Sequence, residues 1–588
     1  MKFVRNSKES INSTMKLDIL FLNLHRRYLN LDANFGGFLG IYYLSAFLRR
    51  NFYEAKGFSG TLNQGKKILD KLCAENKISM LGLYCDYENV TENIFISRHV
   101  KENFNLPVII GGPQATALDE NFFVRSKCDA VVIGEGELTV LELAKFFIDG
   151  VGDLKNISGI IFLTESGLKK NPARPLIKNL DELPFITENC YLEPKNFYQD
   201  LNIMTGRGCP FHCAFCHEGI GKGVRLRSVE NIFAEIDEYL EIYSGDELNI
   251  YFIDDTFTLN FERVKKICDG IKTRRKTHNI NFFCEGHVHT LHKNPEMIRC
   301  LAESGCYRLQ LGIESGNDEV LKIYEKNTTA EEILEVVKIC VESGIREIYG
   351  NIILGGAFFG EKTFETDKKF VSELLKIGAG VIEIGVVTYY PLPQTKMTRC
   401  PENFGIKICD ADFLTSVGDF PQIETDSADK LKISEMHREL ENYISERMKK
   451  ILQTRQIPTE KILSWFNQSS KNSRQSAWFM ILKELEIIFA YYEMIYLCEG
   501  LESKDVKNFE TAHPLRTFAI YQHLTRFDEN SALICGEKFF GRELEILTLT
   551  TGKLSVAEIA EKICLPISEL KKTLNRLEKN FLIVYTEF

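Results

Sequence analysis

Two long stretches of the chain alternate short, continuous apolar runs with segments of helical spacing, and no other pattern in it constrains the fold as strongly. In the first stretch the apolar runs are 17–24 (LDILFLNL), 78–84 (ISMLGLY), 106–112 (LPVIIGG) and 129–136 (DAVVIGEG), with helical spacing over 38–50, 61–76, 90–104 and 137–148. Strands apolar on both faces belong in a sheet covered on both sides. Their alternation with helices predicts a parallel, doubly wound α/β sheet. Ligands of such sheets bind beyond the carboxyl ends of the strands. Glycines stand at those ends: Gly36 and Gly37 before the first helix, Gly111-Gly112-Pro113 after one strand, Gly134-Glu135-Gly136 after another. They allow close backbone approach to a flat or phosphorylated ligand, or serve as plain turns.

A polar, proline-bearing connector (ESGLKKNPARPLIKNLDELPF, starting at 165) leads to a second alternating stretch. Its apolar runs are 201–205, 248–253, 280–284, 307–313, 347–354 and 381–387, and Thr329 with Glu332 forms a capping box before one helix. Six βα units predict an open, partial barrel rather than a closed eightfold one. Beyond 400 the strand pattern fades and 428–500 reads as amphipathic helices. The expected organisation is therefore a doubly wound domain over 1–160, a linker over 161–195, a partial barrel over 196–400, a helical region over 401–540 and a small module over 541–588.

A chain of 588 residues that is 44% hydrophobic and 26% charged can bury several cores, which excludes a mainly disordered protein. Its net charge of −10 supplies no basic field to collect phosphates, so nucleic acid is a disfavoured partner. The first residues carry no apolar leader and no apolar run is long enough to span a membrane, so no membrane partner and a cytoplasmic location are expected. In that reducing compartment, clustered cysteines indicate metal or redox chemistry rather than disulfides.

Three of the seventeen cysteines form such a cluster: Cys209, Cys213 and Cys216, in C-x3-C-x2-C spacing directly after the first strand of the second stretch. At this cysteine frequency the spacing arises by chance in about one or two of a hundred such chains. Three soft thiolates on one loop suit iron–sulfur or zinc. A structural zinc wants a fourth close ligand and a carrier cluster usually has four cysteines. His217 adjoins Cys216 too closely to complete a tetrahedron without strain. Three ligands leave one metal corner open for a substrate or cofactor.

The motif RGCPFHCAFC (207–216), with an aromatic residue before the last cysteine, resembles the hallmark of radical S-adenosylmethionine (SAM) enzymes. The resemblance spans about 195–400. It implies a [4Fe–4S] cluster on Cys209, Cys213 and Cys216, whose fourth iron chelates SAM and, once reduced, cleaves it to a 5′-deoxyadenosyl radical. Asp254 and Asp255 in the DDTF segment, Glu314 and Ser315 in GIESG, and Gly355 in the following Gly-Gly match family segments that line SAM. Tyr390-Pro391-Leu392-Pro393 ends the sixth strand on the substrate side. At the third strand, Cys284-Glu285-Gly286-His287 departs from relatives that often carry arginine, so His287 has no implied role.

The first domain together with the RPLIKNLDELPF connector resembles the cobalamin-binding branch of that family. Gly111-Gly112-Pro113-Gln114 and Gly134-Glu135-Gly136-Glu137 carry the match, with Gln114 where the family often has His. The resemblance implies cobalamin beside Gly36, Gly37, Gly111, Gly112, Gly134, Glu135 and Gly136. No D-x-H-x-x-G motif is present, which implies base-off binding without a protein histidine on cobalt. The implied function is a cobalamin-dependent radical SAM C-methyltransferase acting on an unactivated carbon of a peptide or small-molecule natural product. A flavodoxin or ferredoxin would supply electrons, and no catalytic acid or base is assigned. A rearrangement or cyclisation on the same cofactors is the alternative. A methylthiotransferase is disfavoured, since Cys73, Cys85 and Cys128 do not form a second cluster set.

The C-terminal module opens with a Ser555–Glu558 capping box and apolar residues at 556, 559, 560 and 563, then a second stripe at 570, 574 and 577 and a short strand from 581. This predicts a winged helix. Residues 541–588 hold seven basic and seven acidic side chains, a balance that favours peptide docking or a structural cap over DNA readout and counts against an iron–sulfur DNA-binding regulator.

Overall fold

A computed structural model describes residues 16–25, 39–198, 200–217, 223–409, 421–454, 456–458, 461–462, 464–465, 476–484, 506–517, 525–527, 531–534, 537–579 and 582–586. Gly36 and Gly37 lie outside the described residues. The chain divides into two compact units, 1–370 with 384–439, and 371–383 with 440–588.

The first unit begins with a seven-stranded sheet. Its strands are β1 (Leu17–His25), β2 (Ala55–Thr61), β3 (Ile78–Tyr84), β4 (Val108–Gly111), β5 (Ala130–Val132), β6 (Ile160–Thr164) and β7 (Gly167–Lys170), in the order β2-β1-β3-β4-β5-β6-β7. β1 to β5 pair in parallel, as the apolar runs predict. Leu17, Leu20, Leu22, Leu81, Leu83, Val108 and Ile110 join the helices Leu62–Ala74 and Val90–Phe104 in one continuous core.

Two features differ from the expectation. β2 (AKGFSGT) carries one large apolar side chain, Phe58, so it shows no apolar run, yet it pairs along β1 over seven residues as the sheet's edge. The stretch read as connector contributes β6 and β7, an antiparallel hairpin added to β5. Its outer strand, GLKK, alternates half-buried and exposed side chains, and lysines on an edge discourage further pairing. The chain then crosses to the second sheet through the polar segment that follows.

The second sheet is built from β8 (Leu201–Ile203), then a two-residue hairpin of β9 (Gly206–Arg207) with β10 (Arg225–Leu226) outside it, then β11 (Leu248–Phe252), β12 (Ile280–Gly286), β13 (Cys306–Leu311), β14 (Glu347–Leu354) and β15 (Ile382–Thr388). Its order, β15-β14-β13-β12-β11-β8, is the chain order, so each strand lies beside its successor. The strands are the six expected, and two open edges make it a partial (β/α)6 barrel. The helix before β14 begins at the expected Thr329–Glu332 capping box. A 24-residue helix, Lys430–Gln453, follows further on.

In the second unit, the fully buried Trp478 donates its indole N–H to the Ile382 carbonyl at 2.7 Å. The expected C-terminal helices are Val556–Lys562, with its Ser555–Glu558 box, and Ile567–Lys579. A third helix, Gly541–Leu549, precedes them, and the final strand Ile583–Thr586 pairs antiparallel with His513–Arg516, far outside the expected module. No described helix is long and apolar enough to cross a membrane.

Candidate functional site

The cysteine loop starts where β8 ends, and the carboxylates after β11 hold it. Asp254, buried, accepts from the Thr205 amide (2.6 Å), the Thr205 hydroxyl (2.5 Å) and the Gly206 amide (3.1 Å). Burial pushes its carboxyl up to about 6 although these hydrogen bonds pull the other way. Its neighbour Asp255 accepts from the Gly208 amide at 2.9 Å, one residue before Cys209, and Cys209 Sγ lies 3.4 Å from Thr256 Oγ1. The DD pair expected beside SAM thus fixes the approach to the first cysteine, with Asp254 satisfied inside the protein and Asp255 left exposed.

The rest of the loop rests on aromatic supports at helix ends elsewhere in the barrel. Phe211 stacks on His287 with ring centroids 3.6 Å apart, and Phe215 meets Tyr324 edge-on at 5.0 Å. The Tyr324 carbonyl accepts from the Ala214 amide at 2.9 Å, and the Cys216 amide donates to the Cys213 carbonyl at 3.0 Å. A Cβ on Gly356 would stand 1.7 Å from the Tyr324 hydroxyl, so this position demands glycine. His287, which carried no sequence-based role, is 5% exposed and held down to about 3 by burial, with Lys326 near it. Its Nδ1 accepts from the His289 amide, which places the proton on Nε2, a buried donor with no acceptor among the described residues.

Lys326 is the cation of this region. It is 7% exposed, pairs with Glu314 Oε1 at 2.8 Å and sits 5.9 Å from the Phe215 ring centre. Burial opposes its charge, but Glu314 and then Cys213 outweigh that and raise its affinity for the proton. Burial pushes the Cys213 thiol up, and Lys326 pulls it down. Glu314 itself takes a left-handed backbone (φ 64°) and is bridged to β14 through Asn351 and Ile353. Glu285, half-buried at the end of β12, is pushed up to about 7 by burial and by the carboxylates of Asp255 and Asp254.

Ser315 points away from Glu314. Its hydroxyl and the Gly316 amide both donate to Asp367 Oδ1 at 2.7 Å, and burial pushes Asp367 up to about 6. Replacing Asp367 with Ala would orphan two donors and is expected to destabilise the first unit by about 1–3 kcal/mol. Asp367→Asn, which keeps an acceptor, should cost less; paired urea melts compare the two. Gly355 lies under Ile423 and Ile433, where a Cβ would come within 2.8 Å of Ile423, so its glycine serves packing.

On the first sheet, Gly112 (φ 121°) is sterically required, because a Cβ would lie 2.4 Å from the Cys85 carbonyl oxygen. Gly111 and Gly134 border it at the ends of β4 and β5, and open space surrounds Gly134. Gly136 opens the helix Glu137–Phe147. Glu135 is placed differently from the expectation of a cobalamin contact. Its carboxylate takes Arg207 (2.6 Å), Arg225 (2.9 Å) and the Ile177 amide (2.7 Å), while Glu137 takes the other arm of Arg207 at 2.6 Å. These side chains are buried, and they join the first sheet to the strand that launches the cysteine loop.

The loop borders a cavity of about 970 Å3 lined by Phe215 and Glu314, by Asn351, Ile353 and 387–390 from the barrel, by Tyr87 and Glu88 after β3, and by the start of the helix Lys430–Gln453. Tyr87 and Tyr390 close one wall with rings 5.2 Å apart. A [4Fe–4S] cluster fits the cysteine loop: three thiols lie within eight residues, two half-buried and one exposed, on a backbone pinned from four sides. Among the described residues no three metal-binding side chains converge on a single ion, which a cubane does not require, since each thiolate takes its own iron. Gly112 and Gly134, both exposed, stand after β4 and β5 at the first sheet's carboxyl edge, where a planar cofactor could approach the backbone.

Comparison with known proteins agrees with this geometry. Residues 203–389 match the Radical SAM superfamily. An uncharacterized methyltransferase from Pyrococcus horikoshii is 29% identical over 60% of this chain and 76% of its own length. The structure of the cobalamin-dependent SAM radical enzyme OxsB, with aqua-cobalamin and SAM bound, aligns with a TM-score of 0.58 at 18% identity over 95% of this chain and 81% of that one. The radical SAM methyltransferase TsrM from Kitasatospora setae, with cobalamin and a [4Fe–4S] cluster bound, aligns with a TM-score of 0.55 at 19% identity over 68% of this chain and 81% of that one.

Proposed function

The chain belongs to the radical SAM superfamily, with the architecture of its cobalamin-binding members, and we propose that it is a C-methyltransferase that modifies an unactivated carbon of a peptide or small molecule. The observation that carries the reading is the juxtaposition of the cysteine loop and the end of β3 around one cavity. Phe215 stands on one side and Tyr87 with Glu88 on the other, so a reacting group can be reached from both sheets.

When bound, the cluster with SAM would supply a carbon radical on the substrate and cobalamin a transferable methyl group. The protein's part is to bind and shield. Cys209, Cys213 and Cys216 would hold three irons, while Asp254, Asp255, Tyr324 and His287 fix the loop that presents them. Glu314, charge-balanced by Lys326, lines the cavity beside that loop, where a carboxylate can accept from an ammonium or a ribose hydroxyl. Glu285 and Asp255 add acceptors near it. On the first sheet, Gly112 and Gly134 would let a corrin approach the backbone, with Glu135 acting behind them as a tie. Phe215, Tyr87, Tyr389 and Tyr390 line the cavity, and their rings would shield a reacting carbon there from water.

Anaerobic reconstitution tests the reading. About four irons per chain and a base-off cobalamin spectrum are expected, with products heavier by one methylene. A protein that takes up zinc and no iron would overturn the radical chemistry. Iron without cobalamin uptake would overturn methyl transfer alone.

A further inference from the structure

One wall of the cavity has a chemistry of its own. It is made by the first turns of the helix Lys430–Gln453, which turn Leu431, Ser434, Glu435 and Arg438 toward the cavity, at spacings of three, four and seven residues. The opposite side of the same turns, Ile433 and Met436, is packed in the core, so the helix is anchored on one face and open on the other. Gln422 and Pro421 adjoin this wall, and His437 flanks it with Nδ1 3.1 Å from the Thr388 hydroxyl.

Several groups on this wall lack partners. Ser434 Oγ and Gln422 Oε1 are buried polar atoms without a hydrogen bond. Buried polar groups are ordinarily satisfied, so two orphans on one wall mark a place where a polar ligand completes them. Arg438 and Glu435 make no ion pair among the described residues, although they stand one helical turn apart. Glu314, by contrast, is already neutralised by Lys326.

We propose that this wall is the substrate-recognition face and that it takes the zwitterionic head of a free α-amino acid, its carboxylate on Arg438 and its ammonium on Glu435. Ser434 and Gln422 then hydrogen-bond the same head group, and the side chain extends past Leu392, Val387 and Tyr389 toward the cysteine loop. The charges decide among ligand classes. A phosphate dianion on Arg438 would sit beside the Glu435 carboxylate, and a simple amine on Glu435 would sit beside a guanidinium. A residue inside a peptide offers neither charge. A zwitterion satisfies both, and a cavity of about 970 Å3 is at the top of the range for one small ligand, leaving room for SAM beside it.

The inference rests on the cavity being the reaction chamber, and its test is separable from that reading. Full-length, anaerobically reconstituted protein is titrated calorimetrically with the twenty common free amino acids, with the N-acetyl and carboxamide forms of each binder, and with inorganic phosphate. At least one amino acid should bind, and each capped form should bind about ten- to a hundredfold more weakly, as loss of a charge-assisted hydrogen bond gives. Arg438→Gln should abolish discrimination against the carboxamide and Glu435→Gln discrimination against the N-acetyl form. Both variants should keep wild-type iron content, because both side chains are exposed. No amino acid binding, equal binding of capped forms, or preference for phosphate would overturn the proposal. Normal iron and cobalamin uptake in the same preparations would leave the enzymatic reading standing.

Discussion

Cys213→Ala is expected to leave a folded protein that retains under about a tenth of the wild-type iron after reconstitution and gives no low-temperature electron paramagnetic resonance signal on reduction. A cluster held by three thiolates has no redundancy, since the fourth iron corner is reserved for an exchangeable ligand. The fold should survive because the loop does not depend on iron for its shape. Asp254 and Asp255 hold its start, the Tyr324 carbonyl holds Ala214, and His287 backs Phe211. Removing one sulfur from a half-buried position costs about 1 kcal/mol at most. Cys340→Ala is the control: that thiol is fully buried and distant in sequence from the loop, so iron content should stay normal while stability falls slightly. Wild-type iron in Cys213→Ala would sink the assignment of this loop as the cluster site.

What the sequence revealed follows the range over which its signals act. Strands of both sheets are legible because Leu17–His25 or Glu347–Leu354 must be apolar to lie inside a doubly covered sheet. β2 is not, because an edge strand with one core side chain needs no apolar run. The cysteine loop is legible because its three ligands are local. Its supports are not: Tyr324, whose carbonyl holds the Ala214 amide, caps a helix more than a hundred residues further on, where one aromatic looks like any other. Glu135 is the instructive case. Its place at a strand end suggested a ligand contact, but two arginines from another part of the chain claim both oxygens, and no local pattern announces them. The helical wall of the cavity lies on a segment whose amphipathic spacing was visible, while the cavity it faces exists only once the barrel strands and the end of β3 come together around it.

The arginine–carboxylate cluster carries the other large effect. Arg207→Ala should destabilise the first unit by about 3–5 kcal/mol, read as a shift of its urea midpoint at pH 7. Glu135 would keep Arg225 and the Ile177 amide, whereas Glu137, 4% exposed, would lose the guanidinium that the structure gives it. Breaking a buried pair from one side leaves a charge without compensation, which costs far more than the intact pair contributes. The pH dependence gives the sign. In the wild type burial pushes the Glu135 carboxyl up, but Arg207, the Ile177 amide and Arg225 more than reverse this and hold it below the usual range. Its stabilisation is therefore present above the ordinary glutamate pKa of about 4.3 and is lost as pH falls through the lower folded value. In Arg207→Ala the Glu135 carboxyl loses one of the groups that hold it down, so less of that stabilisation is present above about pH 4.3. The gap between the two proteins should consequently be small near pH 4 and reach its full size by pH 7. Arg207→Met with Glu137→Gln, which removes both charges, should recover part of the loss. Because Arg207 stands two residues before Cys209, the single variant should also lose iron faster on dilution, and the double variant should not restore it if the arginine positions the loop as well as pairing the acids. A pH-independent gap between Arg207→Ala and the wild type would show that packing, not charge, joins the first sheet to the cysteine loop.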